Sequence, residues 1–160
     1  MKTTNRLLIL ITIVLFSLSI TSCKCKKDDI SKKERTITLY VDTENIKKPN
    51  SNNYCNFGQT DGSSNEDYTI KVKVGDEITW EGVSTSDPKN DKVNIVLIKY
   101  KKGTKVFKKD SINGKKKVTG KVLYDTENKA DYKYEIKFTV IRNGKEKKFK
   151  IDPKLMVSKR

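Results

Sequence analysis

An all-β chain, folded as an antiparallel β-sandwich of seven or eight strands over residues 36–160, is what this sequence predicts. Three observations predict it. From Thr36 onward apolar residues alternate with polar ones, the period of a half-buried strand. Residues 23–160 hold 11 Val and 11 Ile against four Leu and one Ala, and such β-branched enrichment favours strand over helix. Turn pairs such as Gly75-Asp76, Lys102-Gly103, Asn113-Gly114 and Asn143-Gly144 punctuate the runs. A length of 160 residues holds one ordinary domain.

The chain opens with something other than a strand. Lys2 and Arg6 give a positive start, and Leu7 to Ile20 is an apolar run broken only by Thr12, Ser17 and Ser19. That is the pattern of a secretory signal helix, shorter than the roughly 20 apolar residues of a comfortable membrane span. Ile20-Thr21-Ser22-Cys23 closes it: an aliphatic residue, two small residues, then cysteine. These four residues resemble the lipobox of bacterial lipoproteins. The resemblance implies a signal peptide over 1–22, cleavage before Cys23, and acyl chains such as palmitate on that cysteine. Several chains hold a protein to a bilayer where one does not. Residues 23–35 are charged or polar without a period and read as a flexible tether. Lys24 to Asp29 resembles, displaced by a residue or two, the signal that sends some lipoproteins to the outer face of the outer membrane. A plain solvated tether explains the same charges.

The strands follow in order. Ile37, Leu39 and Val41 alternate with Thr36, Thr38 and Tyr40. Asn45 to Ser64 is a long polar loop with Tyr54, Cys55 and Phe57 as its apolar island. Tyr68, Ile70, Val72 and Val74 make the next strand face. Gly75-Asp76 turns the chain into a partner strand from Ile78 and Trp80 to about Val83. Trp80 is expected between the sheets, its indole N–H needing a partner. After a loop at Ser84 to Asn90, Val93 to Tyr100 is a nearly continuous apolar run, expected as a central strand covered on both faces. Lys101 to Lys117 is mixed. Val118 to Tyr124 is a strand in which Gly120 suggests a bulge. Tyr132, Tyr134, Ile136, Phe138 and Val140 alternate cleanly up to Asn143-Gly144, the favoured pair for a two-residue hairpin turn. Phe149 and Ile151 return, Asp152-Pro153 breaks the strand, and Leu155 to Val157 suggests a short edge strand.

The segment Tyr68 to Val83, YTIKVKVGDEITWEGV, is similar to a hairpin of cupredoxins. The resemblance implies a cupredoxin-like or immunoglobulin-like sandwich, the kind found in small secreted bacterial proteins. It brings no copper. A blue-copper site needs two His and a Cys, and this chain has no histidine. The same absence removes Ser/His/Asp and Cys/His triads and imidazole zinc sites. No metal site, cofactor or enzyme activity is read from the sequence.

Other constellations carry two readings each. With Cys23 lipidated, Cys25 and Cys55 remain, and an oxidising compartment permits a Cys25–Cys55 disulfide. The alternative is a buried Cys55 thiol and a free Cys25. Asp-Thr-Glu-Asn occurs at 42–45 and 125–128, and Asp61 to Asp67 places oxygens at alternate positions. Acidic loops meeting at one end of a sandwich could hold a cation; ordinary Asx-turn chemistry needs no ion.

Charge is the most suggestive feature. The 35 basic residues outnumber 20 acidic ones for a net charge of +15. Short lysine clusters include Lys47-Lys48, Lys101-Lys102, Lys115-Lys116-Lys117 and Lys147-Lys148. Of these, Lys101, Lys102, Lys115, Lys116, Lys117, Lys147 and Lys148 are the candidate anion-binding residues. Arginine is scarce, and nucleic-acid recognition favours the arginine fork, so nucleic acid is not expected. A lysine coat attracts anions diffusely or serves solubility. The sequence thus predicts a lipoprotein of the bacterial outer membrane, at the cell surface or the periplasmic face. Its expected role is a non-catalytic binding or adhesion module. Its partners are the bilayer through acylated Cys23 and acidic glycans, lipopolysaccharide or an envelope protein. The alternative is a structural subunit that pairs through a sheet edge.

Overall fold

The computed structural model describes residues 33–127 and 129–160. The signal segment, Cys23, Cys25 and most of the tether lie outside the described residues. Ten strands build the domain: β1 (Glu34–Val41), β2 (Cys55–Asn56), β3 (Thr69–Lys73), β4 (Glu77–Ser84), β5 (Lys92–Lys102), β6 (Ser111–Asn113), β7 (Val118–Lys121), β8 (Tyr132–Arg142), β9 (Lys145–Ile151) and β10 (Lys154–Ser158). They form two sheets, β2-β1-β4-β7 and β3-β10-β8-β5-β6, with β9 also paired to β8. Among the described residues no helix is long and apolar enough to cross a membrane.

The all-β, sandwich-like expectation holds. The strand count of seven or eight and the antiparallel order need correction. The described residues form ten strands, and both sheets are mixed: β1 runs parallel to β4, and β10 parallel to β3. A period of two tells which side chains share a face and is silent on strand direction. Direction is decided by the connections, and the long excursion from β1 to β4 returns the chain in the same sense.

The β3–β4 segment is a second correction. Instead of pairing as a hairpin, β3 and β4 belong to different sheets. Gly75, at φ +90°, turns the chain across the sandwich, and its N–H donates to the Val122 carbonyl at 2.9 Å. The apolar run of β5 is not covered on both faces. Ile95 and Ile98, three apart, both point inward because a register shift inserts Val96 as an extra residue. Gly120 pairs with Ile78 inside an unbroken ladder. A Cβ there would lie 2.9 Å from Ile112 Cδ1, so close sheet packing is what calls for glycine. Finally, β10 is interior, between β8 and β3.

Trp80 of one sheet meets Tyr134 of the other edge-on, ring centroids 5.9 Å apart, and its indole N–H donates to Tyr134 Oη at 3.2 Å. Phe107 and Tyr132 extend this aromatic core. The Asn143-Gly144 hairpin forms as expected, with φ of 50° and 71°, and joins β8 to β9. This hairpin carries the site.

Candidate anion-binding groove

A two-residue turn fixes the register of everything behind it. Arg142 lies opposite Lys145, so Thr139 meets Lys148 and Lys137 meets Lys150. Phe149 and Ile151 point into the core, with Phe149 stacked on Phe138 at 5.7 Å. The other edge of β9 has no strand beside it among the described residues. Facing that edge is the loop after β1.

The loop is held at several points. The backbone N–H and side-chain amide of Asn45 donate to Asp42, at 3.1 and 2.8 Å. The Ser86 hydroxyl donates to Asp42 at 2.6 Å, and this bond, with those of Asn45, holds the Asp42 carboxyl below its ordinary range. Ile46 enters the core. The buried Ser51 hydroxyl donates to the Lys150 carbonyl at 2.9 Å. Asn65, itself buried, donates its amide to the carbonyls of Asn52 and Cys55. Lys47 and Lys48 sit between these anchors.

Loop and strand enclose adjoining cavities. One, about 580 Å³, includes Lys48, Lys137, Lys148 and Lys150 with Asn52 and Asp152 in its wall. The next, about 390 Å³, includes Lys47, Lys48, Lys147 and Lys148 over Ile46 and Phe149. The first lies within the roughly 300–1,000 Å³ range of small-molecule sites. Lys137 and Lys150 both reach the buried Glu135 carboxylate at 3.6 Å. Lys47, Lys48, Lys147 and Lys148 make no ion pair among the described residues. An anion placed here meets four uncommitted ammonium groups.

The structure therefore brings Lys147 and Lys148 together with Lys47 and Lys48 and leaves the other candidates elsewhere. Lys101, at a bulge of β5, points to Glu135 at 3.8 Å. Lys102 pairs in the ladder with Lys133. Lys115, Lys116 and Lys117 lie between β6 and β7, and Lys117 is ion-paired to Glu81. Lys137 and Lys150 were not singled out from sequence, because each is a lone lysine in an alternating strand. The signal existed: the Asn143-Gly144 turn implies the Lys137–Lys150 pairing.

Cys55 lies buried in β2, where burial, then the nearby Asp42 charge, pushes its thiol up to about 12. Its candidate partner Cys25 is outside the described residues. Residues 42–45 and 125–127, the described parts of the two Asp-Thr-Glu-Asn segments, sit at opposite ends of the sandwich. One follows the Val41–Ser84 end of the β1–β4 ladder, the other the Glu77–Lys121 end of the β4–β7 ladder. Each aspartate accepts from its own loop's backbone: Asp42 from the Asn45 N–H at 3.1 Å, and Asp125, in an Asx turn, from the Glu127 N–H at 3.2 Å. Among the described residues no group of three or more His, Cys, Asp or Glu is placed to hold a metal ion.

No protein-family model and no curated protein matches this chain. Solved structures of similar fold exist. One of them, the inclusion body protein PixA from Burkholderia cenocepacia, superposes with a TM-score of 0.54 and 13% identity, over 80% of this chain and 97% of its own. At that identity the likeness concerns the fold.

Proposed function

We propose that this chain is a lipoprotein of the bacterial outer membrane, anchored through acylated Cys23, whose β-sandwich is a non-catalytic binding module for anionic glycans. The observation that carries this reading is the convergence of Lys47, Lys48, Lys147 and Lys148, free of ion pairs among the described residues, on one groove. The cupredoxin-like or immunoglobulin-like kinship belongs to the same proposal. What supports it is the pair of facing sheets around Trp80.

The test is retention of the full chain, in non-ionic detergent, on immobilised polygalacturonate and on neutral dextran. Retention on polygalacturonate alone, lost steeply between low and about 0.5 M salt, is expected because the screening length shrinks severalfold over that range. No retention at 10 mM salt sinks the proposal.

Sheet-edge pairing to an envelope protein is the second reading. What favours it is the edge of β9, which among the described residues has no strand beside it and only its Lys150 carbonyl taken, by Ser51. Against it, four of its seven residues are lysine, the usual means of blunting an edge. Glu146→Pro separates the two. It removes a backbone donor from the edge and abolishes strand pairing, whereas glycan retention survives it.

A further inference from the structure

Three cavities follow one another along the edge of β9 that faces the loop after β1. At the Asn143-Gly144 end, a hollow of about 260 Å³ has Lys145, Lys147 and Arg142 in its wall. It shares Ile46, Lys147 and Phe149 with the 390 Å³ cavity. That cavity in turn shares Lys48, Lys148 and Phe149 with the 580 Å³ one. Shared walls make the three a single cleft. It follows β9 from Lys145 to Lys150, a run of about 17 Å at the rise of an extended strand.

Lysines stand on both walls. In the middle cavity Lys47 and Lys48 come from the loop and Lys147 and Lys148 from the strand, with no described carboxylate beside them. Lys145 extends the cationic wall toward the turn and makes no ion pair among the described residues. Carboxylates stand in the end cavities: Glu44, held by Arg142 at 3.1 Å, in one, and Glu66 and Asp152 in the other. The positive stretch therefore has a definite length.

From this arrangement we infer that the cleft takes one extended chain of repeating acidic sugar units, laid along β9 with several units bound at once. The inference rests on the glycan-binding reading and narrows it. A single small anion fills one cavity and leaves the lysines of the others facing solvent. A flat anionic surface touches the rim and cannot enter between two walls. A chain charged on every unit reaches all three cavities. Side chains on one face of a strand recur every two residues, about 6.8 Å apart. Lys145 and Lys147 thus form one row, and Lys148 and Lys150 another, and a periodic row suits a periodically charged polymer.

The experiment is titration of the full chain, in non-ionic detergent at low salt, with oligogalacturonates of two to eight units. Affinity rises about two- to fivefold per added unit, the size of one exposed ion pair. The rise breaks at the oligomer whose extended length is about 17 Å, because further units extend past the cleft. Beyond the break only the number of possible registers grows. Lys145→Gln, at the turn end, weakens the octamer severalfold and leaves the dimer unchanged. Lys148→Gln, in the middle, weakens both. An unchanged thermal midpoint shows that each variant is folded, and the length series needs no variant. A dimer that binds as tightly as the octamer, a rise without a break, or an octamer indifferent to Lys145→Gln overturns the inference and leaves anionic-glycan binding standing. So does an octamer that fails to bind while polygalacturonate is retained. Failure of both overturns the glycan reading itself.

Discussion

Arginine and lysine are put to different uses in two regions of this molecule. Around Asp76, which is 1% exposed, two guanidinium groups close on one buried carboxylate: Arg35 Nε at 2.5 Å and Arg160 Nη2 at 2.9 Å. The Lys73 backbone N–H adds a third bond at 3.0 Å. Along β9, lysines gather with few carboxylates among them and face solvent. Each described arginine is spent on a buried acid: Arg35 and Arg160 on Asp76, Arg142 on Asp91. The planar fork suits a fixed carboxylate, and the hydrated ammonium on a flexible stem suits an open surface that adapts to its ligand. One region holds the fold; the other is free to bind.

The sharpest way to break that contrast is at Asp76. Its carboxylate ties the start of β1, the β3–β4 crossing and the segment after β10. Asp76→Ala leaves two arginines facing a cavity, and an expected loss of about 3 kcal/mol follows from removing one partner of a buried pair. Urea unfolding measures it, and polygalacturonate retention of the folded variant stays unchanged. The pH dependence carries its own sign. Burial pushes this carboxyl up, but the Lys73 N–H and then Arg35 and Arg160 outweigh it and hold it below the usual 3.8. A lowered folded value means that the contribution is complete above about pH 4 and fades as pH falls through the folded value. The gap in urea midpoint between wild type and Asp76→Asn should narrow in that acid range. A gap that widens on acidification contradicts the assignment.

Arg142 makes a smaller test of the same idea. Its two nitrogens divide between Asp91 at 2.7 Å and Glu44 at 3.1 Å, and Asp91 also accepts from the Thr43 hydroxyl at 2.5 Å. Arg142→Lys keeps the charge and loses the fork. The expected result is a urea midpoint below that of the wild type. Full tolerance of this change would mean that charge alone is needed here, and the contrast with the lysine groove would lose its basis.

Legibility from sequence followed the same division. Alternation along Tyr132 to Val140 and the Asn143-Gly144 turn exposed β8, β9 and their register, hence half of the groove. Trp80 was legible as a core residue with a polar partner. Strand direction was not, because the β1–β4 and β3–β10 pairings join segments distant in sequence whose patterns read the same either way. The crossing at Gly75 was hidden for a related reason: a tight glycine turn looks alike whether the next strand pairs with the last one or enters the facing sheet. The loop half of the groove, Lys47 and Lys48, depends on anchors such as Ser51 to Lys150, 99 residues apart, and no local pattern announces them.

The groove makes the smallest prediction and the most specific one. Replacing Lys47, Lys48, Lys147 and Lys148 together by glutamine removes four exposed charges that have no ion-pair partner among the described residues. Exposed substitutions away from structural contacts change stability by about 0.5 kcal/mol or less. Here the sign is fixed by mutual repulsion: at low salt the variant is the more stable protein, by a few tenths of a kcal/mol. In about 1 M sodium chloride, where the screening length is about 3 Å, the difference vanishes. Because both proteins are compared at each salt concentration, general salt effects on folding cancel. A variant less stable than wild type by 1 kcal/mol or more would show that these lysines hold the fold as the arginines do. A difference that rises as salt falls identifies a surface that holds unspent charge at a cost in stability, and such a cost is what an anionic ligand relieves on binding.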